Sequence, residues 1–145
     1  MIYTTQTKKA LKICFEAHRD QSDKSGAPYV FHPFHLAEQM DTEESTVVAL
    51  LHDVVEDTDY TLSDLDAMGF SERIIEALSL MTHDPSVPYM EYVKRISNNQ
   101  LATKVKLADL RHNSDLTRLE YVDSKALARV KKYAEAITLL ESVAF

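Results

Sequence analysis

The sequence predicts an all-α fold, and three observations predict it. Apolar residues recur at helical spacing from one end of the chain to the other. No two segments show the alternation that a pair of strands needs, and neither an internal repeat nor a low-complexity linker interrupts the pattern. The composition, 45% apolar, 27% charged and 8% aromatic over 145 residues, is that of one compact domain spanning 1–145, with a core that buries roughly two-thirds of the unfolded surface.

The elements follow in order. Thr4 to about Asp20 reads as a first helix with Leu11, Phe15 and His18 on one face, and the turn-rich stretch SDKSGAP closes it. Proline fits the first turn of a helix, so Pro33 to Met40 reads as a short second helix with His32 near its N-cap. Asp41 or Thr42 caps a third helix, whose Glu43 and Glu44 suit the positive end of the dipole. That helix runs through the apolar stretch Val47–Leu51 and on into His52-Asp53-Val54-Val55-Glu56-Asp57. Further helices are expected near Leu62–Met68, Ser71–Met81, Tyr89–Ile96, Ala102–Leu119 and Ser124–Val143.

Several function classes drop out. Two glycines, Gly26 and Gly69, cannot form a GxGxxG fingerprint, a Walker P-loop or a GxSxG elbow, so any phosphate is held by side chains and metal. Cys14 is the only cysteine, which rules out a disulfide and a Cys-rich zinc site, and its apolar setting reads as burial. A net charge of −7 disfavours nucleic acid and anionic membranes as partners. The longest wholly apolar run is far short of the roughly 20 residues of a membrane span, and no signal core precedes it, so a cytoplasmic protein is expected.

Chemistry concentrates at His52 and Asp53, which sit between Leu50-Leu51 and Val54-Val55. An ionised aspartate among such neighbours needs a cation or a full set of hydrogen bonds. On a continuous helix, Glu56 and Asp57 would share the same end of that surface. A lone His-Asp pair is more often part of a solvated helix face, but this pair has company. His32 stands beside a proline at a helix start, and Asp109 follows Val105, Leu107 and Ala108 with His112 and Asn113 one turn on.

His32, His52, Asp53 and Asp109 form a mixed nitrogen and oxygen set that suits Mn²⁺ or Fe²⁺ and tolerates Zn²⁺ or Mg²⁺. Such an ion lowers the pKa of bound water and neutralises phosphoryl charge, with Glu56 and Asp57 available to orient the water and take its proton. Hydrolysis of a phosphate ester or anhydride is the reaction class that follows. Among other polar residues, His35 is expected beside the ligands or on the helix surface, and His83 in solvent. His18 would either reach phosphate or pack beside Phe15. Lys104, Lys106, Arg111 and Arg118 are the cations available on the Asp109 helix.

The stretches AHRDQSDKSGAPYVFHP, LLHDVVEDT and VKLADLRHN, in this order from Ala17 to Asn113, resemble the HD hydrolase domain of the RelA/SpoT family, and the chain length is similar to that of its small alarmone hydrolases. The resemblance implies an HD-domain helical bundle that removes the 3′-pyrophosphate of guanosine tetra- and pentaphosphate with Mn²⁺. It implies metal ligation by His32, His52, Asp53 and Asp109, water activation by Glu56 and Asp57, and substrate contacts at Lys24, Tyr29 and Asn113. His112, by its position beside Asp109, reads as a contact to substrate or to the ligands. The chain departs from the family at Asp23, Ala27 and Asp115, where arginine, glutamate and arginine are usual. Asp23 is expected to repel phosphate where relatives present a cation to the base. Two other readings stay open: an HD phosphatase acting on another nucleotide such as NADPH, and a noncatalytic module that binds nucleotide.

Overall fold

The computed structural model describes residues 1–144. Within them the chain forms nine α-helices: α1 Thr5–His18, α2 Phe31–Glu38, α3 Glu43–Leu51, α4 Val54–Asp57, α5 Leu62–Ala67, α6 Glu72–Met81, α7 Tyr89–Ile96, α8 Gln100–Asn113 and α9 Ser124–Val143. A 3₁₀ turn at Leu116–Arg118 separates the last two. The only β-type pairing among these residues is an isolated bridge between Ser22 and Pro28, which pinches the loop between α1 and α2. No helix in the described residues is long and apolar enough to cross a membrane.

The helix starts are written locally. Thr4, Thr42 and Thr61 each accept the backbone N–H of the residue three positions on, and the hydroxyl or carboxylate of that residue returns the bond to the cap. Such caps contribute about 1 kcal/mol each. Ser71, Asn99 and Asp123 cap α6, α8 and α9 with a single side-chain bond.

α3 is the central strut. Every residue from Ser45 to Leu51 is buried, and α1, α2, α6 and α8 all pack around it. A helix with no wet face reads in the sequence as an unbroken apolar run, and that run is Val47–Leu51. α9 lies across α7 and α8 and closes the far side of the bundle.

Two boundaries and one buried face differ from the sequence expectation for a stated physical reason. The third helix does not continue through the His-Asp pair. It ends at Leu51, and Asp53 takes φ −107° and ψ 1°, before a single turn resumes at Val54. Polar groups replace the missing helix bonds: the ring of His52 donates Nδ1–H to the Ala49 carbonyl at 2.7 Å, and the carboxylate of Asp53 accepts the Tyr29 hydroxyl. α8 stops at Asn113 and not at Leu119, because the Ser114 hydroxyl bonds the Leu110 carbonyl at 2.7 Å and Asp115 caps the following turn through Thr117. In α1 the buried face is Thr7, Ala10, Ile13, Cys14 and His18, whereas Phe15 is 56% exposed. A stripe through residues 7, 10, 14 and 18 leaves position 15 pointing to solvent.

Cys14 is buried as the sequence suggests, and burial, with a smaller contribution from the charge of Asp53, pushes its thiol up to about 12. The native protein is therefore expected to resist iodoacetamide at pH 8 and to be alkylated at once when unfolded, a difference that mass spectrometry reads directly. Fast alkylation of the folded protein would contradict the packing of α1.

Candidate active site

The site forms where the break after α3 meets α2 and α8. His32 lies inside the first turn of α2, one residue before Pro33, with its start capped by no side chain. His52 and Asp53 occupy the α3–α4 junction, and Asp109 projects from the middle of α8. One donor atom from each of His32, His52 and Asp109 lies within 4.8 Å of the others, and all three residues are buried. This group could bind a metal ion.

The hydrogen bonding fits a cation there. Because His52 donates Nδ1–H to Ala49, its Nε2 presents a lone pair, and that buried atom has no hydrogen-bond partner. It faces Asp53 Oδ2 at 3.1 Å and Asp109 Oδ1 at 3.6 Å. A lone pair and two carboxylate oxygens repel one another unless positive charge lies among them. The same demand appears in the titration of the group. Burial disfavours an imidazolium, yet Asp53 and Asp109 push the pKa of His52 well above its ordinary value. Burial likewise opposes the charge of Asp53, but His52 beside it holds that carboxyl down at about 2.

His32 Nε2 lies 2.9 Å from Asp109 Oδ1, and its Nδ1 lies 2.7 Å from His112 Nδ1. With Nε2 as a ligand, His32 donates Nδ1–H to His112, which must then be neutral. Burial and the charge of Arg118 bring the pKa of His112 down to about 4, consistent with that role. His112 in turn stacks on His35 at 4.2 Å between ring centres. Both histidines thus support His32 from behind, the arrangement that fixes the tautomer of a ligand.

Asp109 is fully engaged. Its Oδ1 also accepts Asn113 Nδ2 at 2.9 Å, and its Oδ2 accepts Lys106 Nζ at 2.8 Å. Burial works against its charge, but Lys106 above all, with His32 and His52, holds its pKa well below the carboxylate range. Lys106 is therefore not the exposed phosphate partner expected from the sequence. The other two mid-helix cations face away, Lys104 pairing with Asp41 and Arg111 with Glu141.

A cleft of roughly 530 Å³ opens beside the group, within the range of small-molecule sites. His32 and Tyr29 line it, together with Lys24, Asp57, Asn113 and Arg118. Arg129 and Tyr133, one turn apart on α9, complete the wall. Nothing in the motifs points to these two, since the contact of α9 with the site is purely tertiary; their i,i+4 spacing shows only that they share a face. Asp57 lines the cleft, Glu56 is the residue before it on α4 and outside that lining, and partial burial plus the charge of Asp53 raise both pKa values. Tyr29 reaches the cleft, with its hydroxyl committed to Asp53.

Two histidines leave the site. His18 is wholly buried, with Nδ1 2.8 Å from Gln21 Oε1 and its ring 4.9 Å from that of Tyr29, so it neither reaches phosphate nor packs beside Phe15. His83 is half-buried and not wholly solvated: its Nε2–H donates to the Val87 carbonyl at 2.8 Å and its ring stacks on Tyr92 at 4.4 Å.

Asp23 lines the cleft, as its expected place facing substrate requires, and its carboxylate has further partners. Its Oδ1 accepts the backbone N–H groups of Ser25 and Ala27 and the Ser25 hydroxyl, closing a turn that Gly26 completes at φ +86°. Its Oδ2 meets Arg118 at 3.4 Å. Arg118 thus offsets the charge of Asp23 at the cleft wall, and the other carboxylate oxygen serves the loop.

No protein-family model matches the chain. The chain is 34% identical over 143 residues to the Danio rerio protein named guanosine-3′,5′-bis(diphosphate) 3′-pyrophosphohydrolase MESH1, covering 88% of this chain and 77% of that protein. The Homo sapiens MESH1 protein is 34% identical over 129 residues, covering 78% and 70%. A solved structure described as a metazoan ortholog of SpoT that hydrolyzes ppGpp superposes with a TM-score of 0.76 over 97% of this chain and 87% of that one, at 24% identity, and so shares the fold. With that coverage and identity, the chain belongs to the RelA/SpoT family of HD-domain hydrolases, among its small alarmone hydrolase members.

Proposed function

We propose that this protein is a metal-dependent nucleotide hydrolase that removes the 3′-pyrophosphate of guanosine tetra- and pentaphosphate. One observation carries the reading: His32 belongs both to the buried donor group and to the lining of a cleft that holds Lys24, Arg118 and Arg129. Ion and phosphate would therefore meet at one place. The names of the relatives give the substrate class.

In this scheme His32, His52, Asp53 and Asp109 hold one divalent ion, with Mn²⁺ favoured by the mixed imidazole and carboxylate set. When bound, the ion supplies Lewis acidity to a phosphoryl oxygen and to water. Tyr29 orients Asp53 through its hydroxyl, and His112 orients His32. Glu56 and Asp57 take the proton of the attacking water, a task their raised pKa values favour. The water oxygen bonds to the nearer phosphorus, the ester bond to the 3′ oxygen breaks, and that oxygen collects a proton as pyrophosphate departs. Lys24 and Arg129 neutralise the phosphate charge along the cleft, and Asn113, which lines it and bonds Asp109, is a further substrate contact in this reading.

Arg129 pairs with no acid among the described residues, so its charge is free for substrate. Arg129→Ala is expected to raise KM for guanosine tetraphosphate by roughly 10- to 100-fold, the scale of a lost charged hydrogen bond, with kcat less affected. A changed kcat at constant KM would place Arg129 outside the binding wall. The function itself is tested by offering guanosine tetraphosphate, NADPH and simple nucleotides with Mn²⁺ and scoring pyrophosphate against phosphate. Pyrophosphate release from guanosine tetraphosphate alone supports the reading. Release of single phosphate from NADPH would favour a phosphatase on another nucleotide.

A further inference from the structure

Metal centres built from carboxylates face a problem when the ion is away, because a buried anion then lacks its partner. Asp109 is 4% exposed, and the two histidines nearest to it offer neutral lone pairs when they act as ligands. The positive charge that stays in contact with Asp109 whether or not the ion is bound is Lys106, one turn earlier on α8. Its side chain is 12% exposed, its Nζ meets Asp109 Oδ2 at 2.8 Å and stands 5.3 Å from the centre of the Tyr92 ring. Among the described residues Lys106 makes no second ion pair. The pairing divides the carboxylate, since Oδ2 goes to the lysine while Oδ1 faces His32 and His52.

We propose that Lys106 is a positioning residue, a fixed counter-cation that pairs with Asp109 and keeps it aimed in the metal-free protein, so that the centre is preformed and the ion exchanges without local unfolding. The proposal rests on the reading that His32, His52 and Asp109 hold a divalent ion. It makes an asymmetric demand. Lysine and ion share one carboxylate and repel each other, so removing Lys106 weakens the empty protein and tightens the hold on the ion.

The experiment is a double-mutant cycle on the full chain: wild type, Lys106→Met, Asp109→Asn and the two combined, each melted in chelator and in saturating Mn²⁺, with Mn²⁺ affinity read by indicator competition. In chelator, Lys106→Met is expected to lower Tm by roughly 10 °C. Mn²⁺ recovers most of that loss, and its half-saturation concentration falls by roughly tenfold or more. The combined variant, which carries neither charge, returns in chelator to within a few degrees of wild type and ignores Mn²⁺.

An equal Tm loss with and without Mn²⁺ would reduce Lys106 to packing and overturn the proposal. Additive losses in the combined variant would also overturn it, by showing that the two charges do not pair. If Lys106→Met does not fold in chelator, the combined variant decides: its folding there supports the proposal, and its failure overturns it. A wild type with no Mn²⁺ response defeats the metal reading, and the proposal with it, while the chelator half of the cycle still reports the ion pair.

Discussion

Asp109→Ala is expected to lose the divalent ion and the hydrolysis together, and to destabilise the fold by about 3–5 kcal/mol. Three consequences follow from one deletion. The donor group loses its only member that touches both histidines, since Asp109 Oδ1 lies 2.9 Å from His32 and 3.6 Å from His52. Lys106 is left buried without its counter-charge. Asn113 Nδ2 loses its acceptor at the edge of the cleft. Metal content by elemental analysis, turnover and a urea melt on one preparation read all three. A variant that keeps one ion per chain and full turnover would remove Asp109 from the centre. His32→Ala and Asp53→Ala are expected to cost metal and activity in the same way, with smaller losses of stability, because neither leaves a buried lysine unpaired.

Glu56→Gln is expected to keep the ion and lower kcat by roughly 10²–10⁴, the usual range for a lost proton acceptor. The distinction rests on position. Asp53 has its carboxylate 3.1 Å from His52 Nε2, whereas Glu56 is exposed on the short α4 turn and makes no ion pair with that group among the described residues, and its carboxyl has a raised pKa through partial burial and the charge of Asp53. A ligand is held ionised, whereas a proton acceptor benefits from a raised pKa. Metal occupancy that collapses together with kcat would make Glu56 a ligand. An unchanged kcat would pass the proton-accepting role to Asp57, which lines the cleft directly.

Much of the candidate metal-binding group is legible in the sequence because its constraints are local. Pro33 fixes a helix start beside His32, the apolar run Val47–Leu51 delivers His52 and Asp53 into the interior, and Asp109 sits among apolar neighbours on a helix with His112 and Asn113 one turn on. Burial of such polar residues already implies a compensating charge. The break after Leu51 was not legible, since side-chain and tertiary bonds from Ala49 and Tyr29 replace the helical ones there. Lys106 lies three residues before Asp109, a spacing that places the two on one face, yet charged residues on helices usually point to water and that base rate hid the pair.

The substrate side depends on longer-range geometry and was correspondingly less readable. Arg129 and Tyr133 enter the cleft only because α9 folds back over α7 and α8. Asp23 and Arg118 lie 95 residues apart, so the neutralisation of one by the other has no local signature. Family patterns assign position 23 to a cation, and here the cleft receives its arginines from the turn after α8 and from α9.

The most direct test of the account is metal dependence of the reaction itself. Protein stripped by chelation and dialysed should release no pyrophosphate from guanosine tetraphosphate, and titrated Mn²⁺ should restore the rate in proportion to occupancy, saturating at one ion per chain. Full turnover by the stripped protein would contradict the assignment of His32, His52, Asp53 and Asp109 as the working centre.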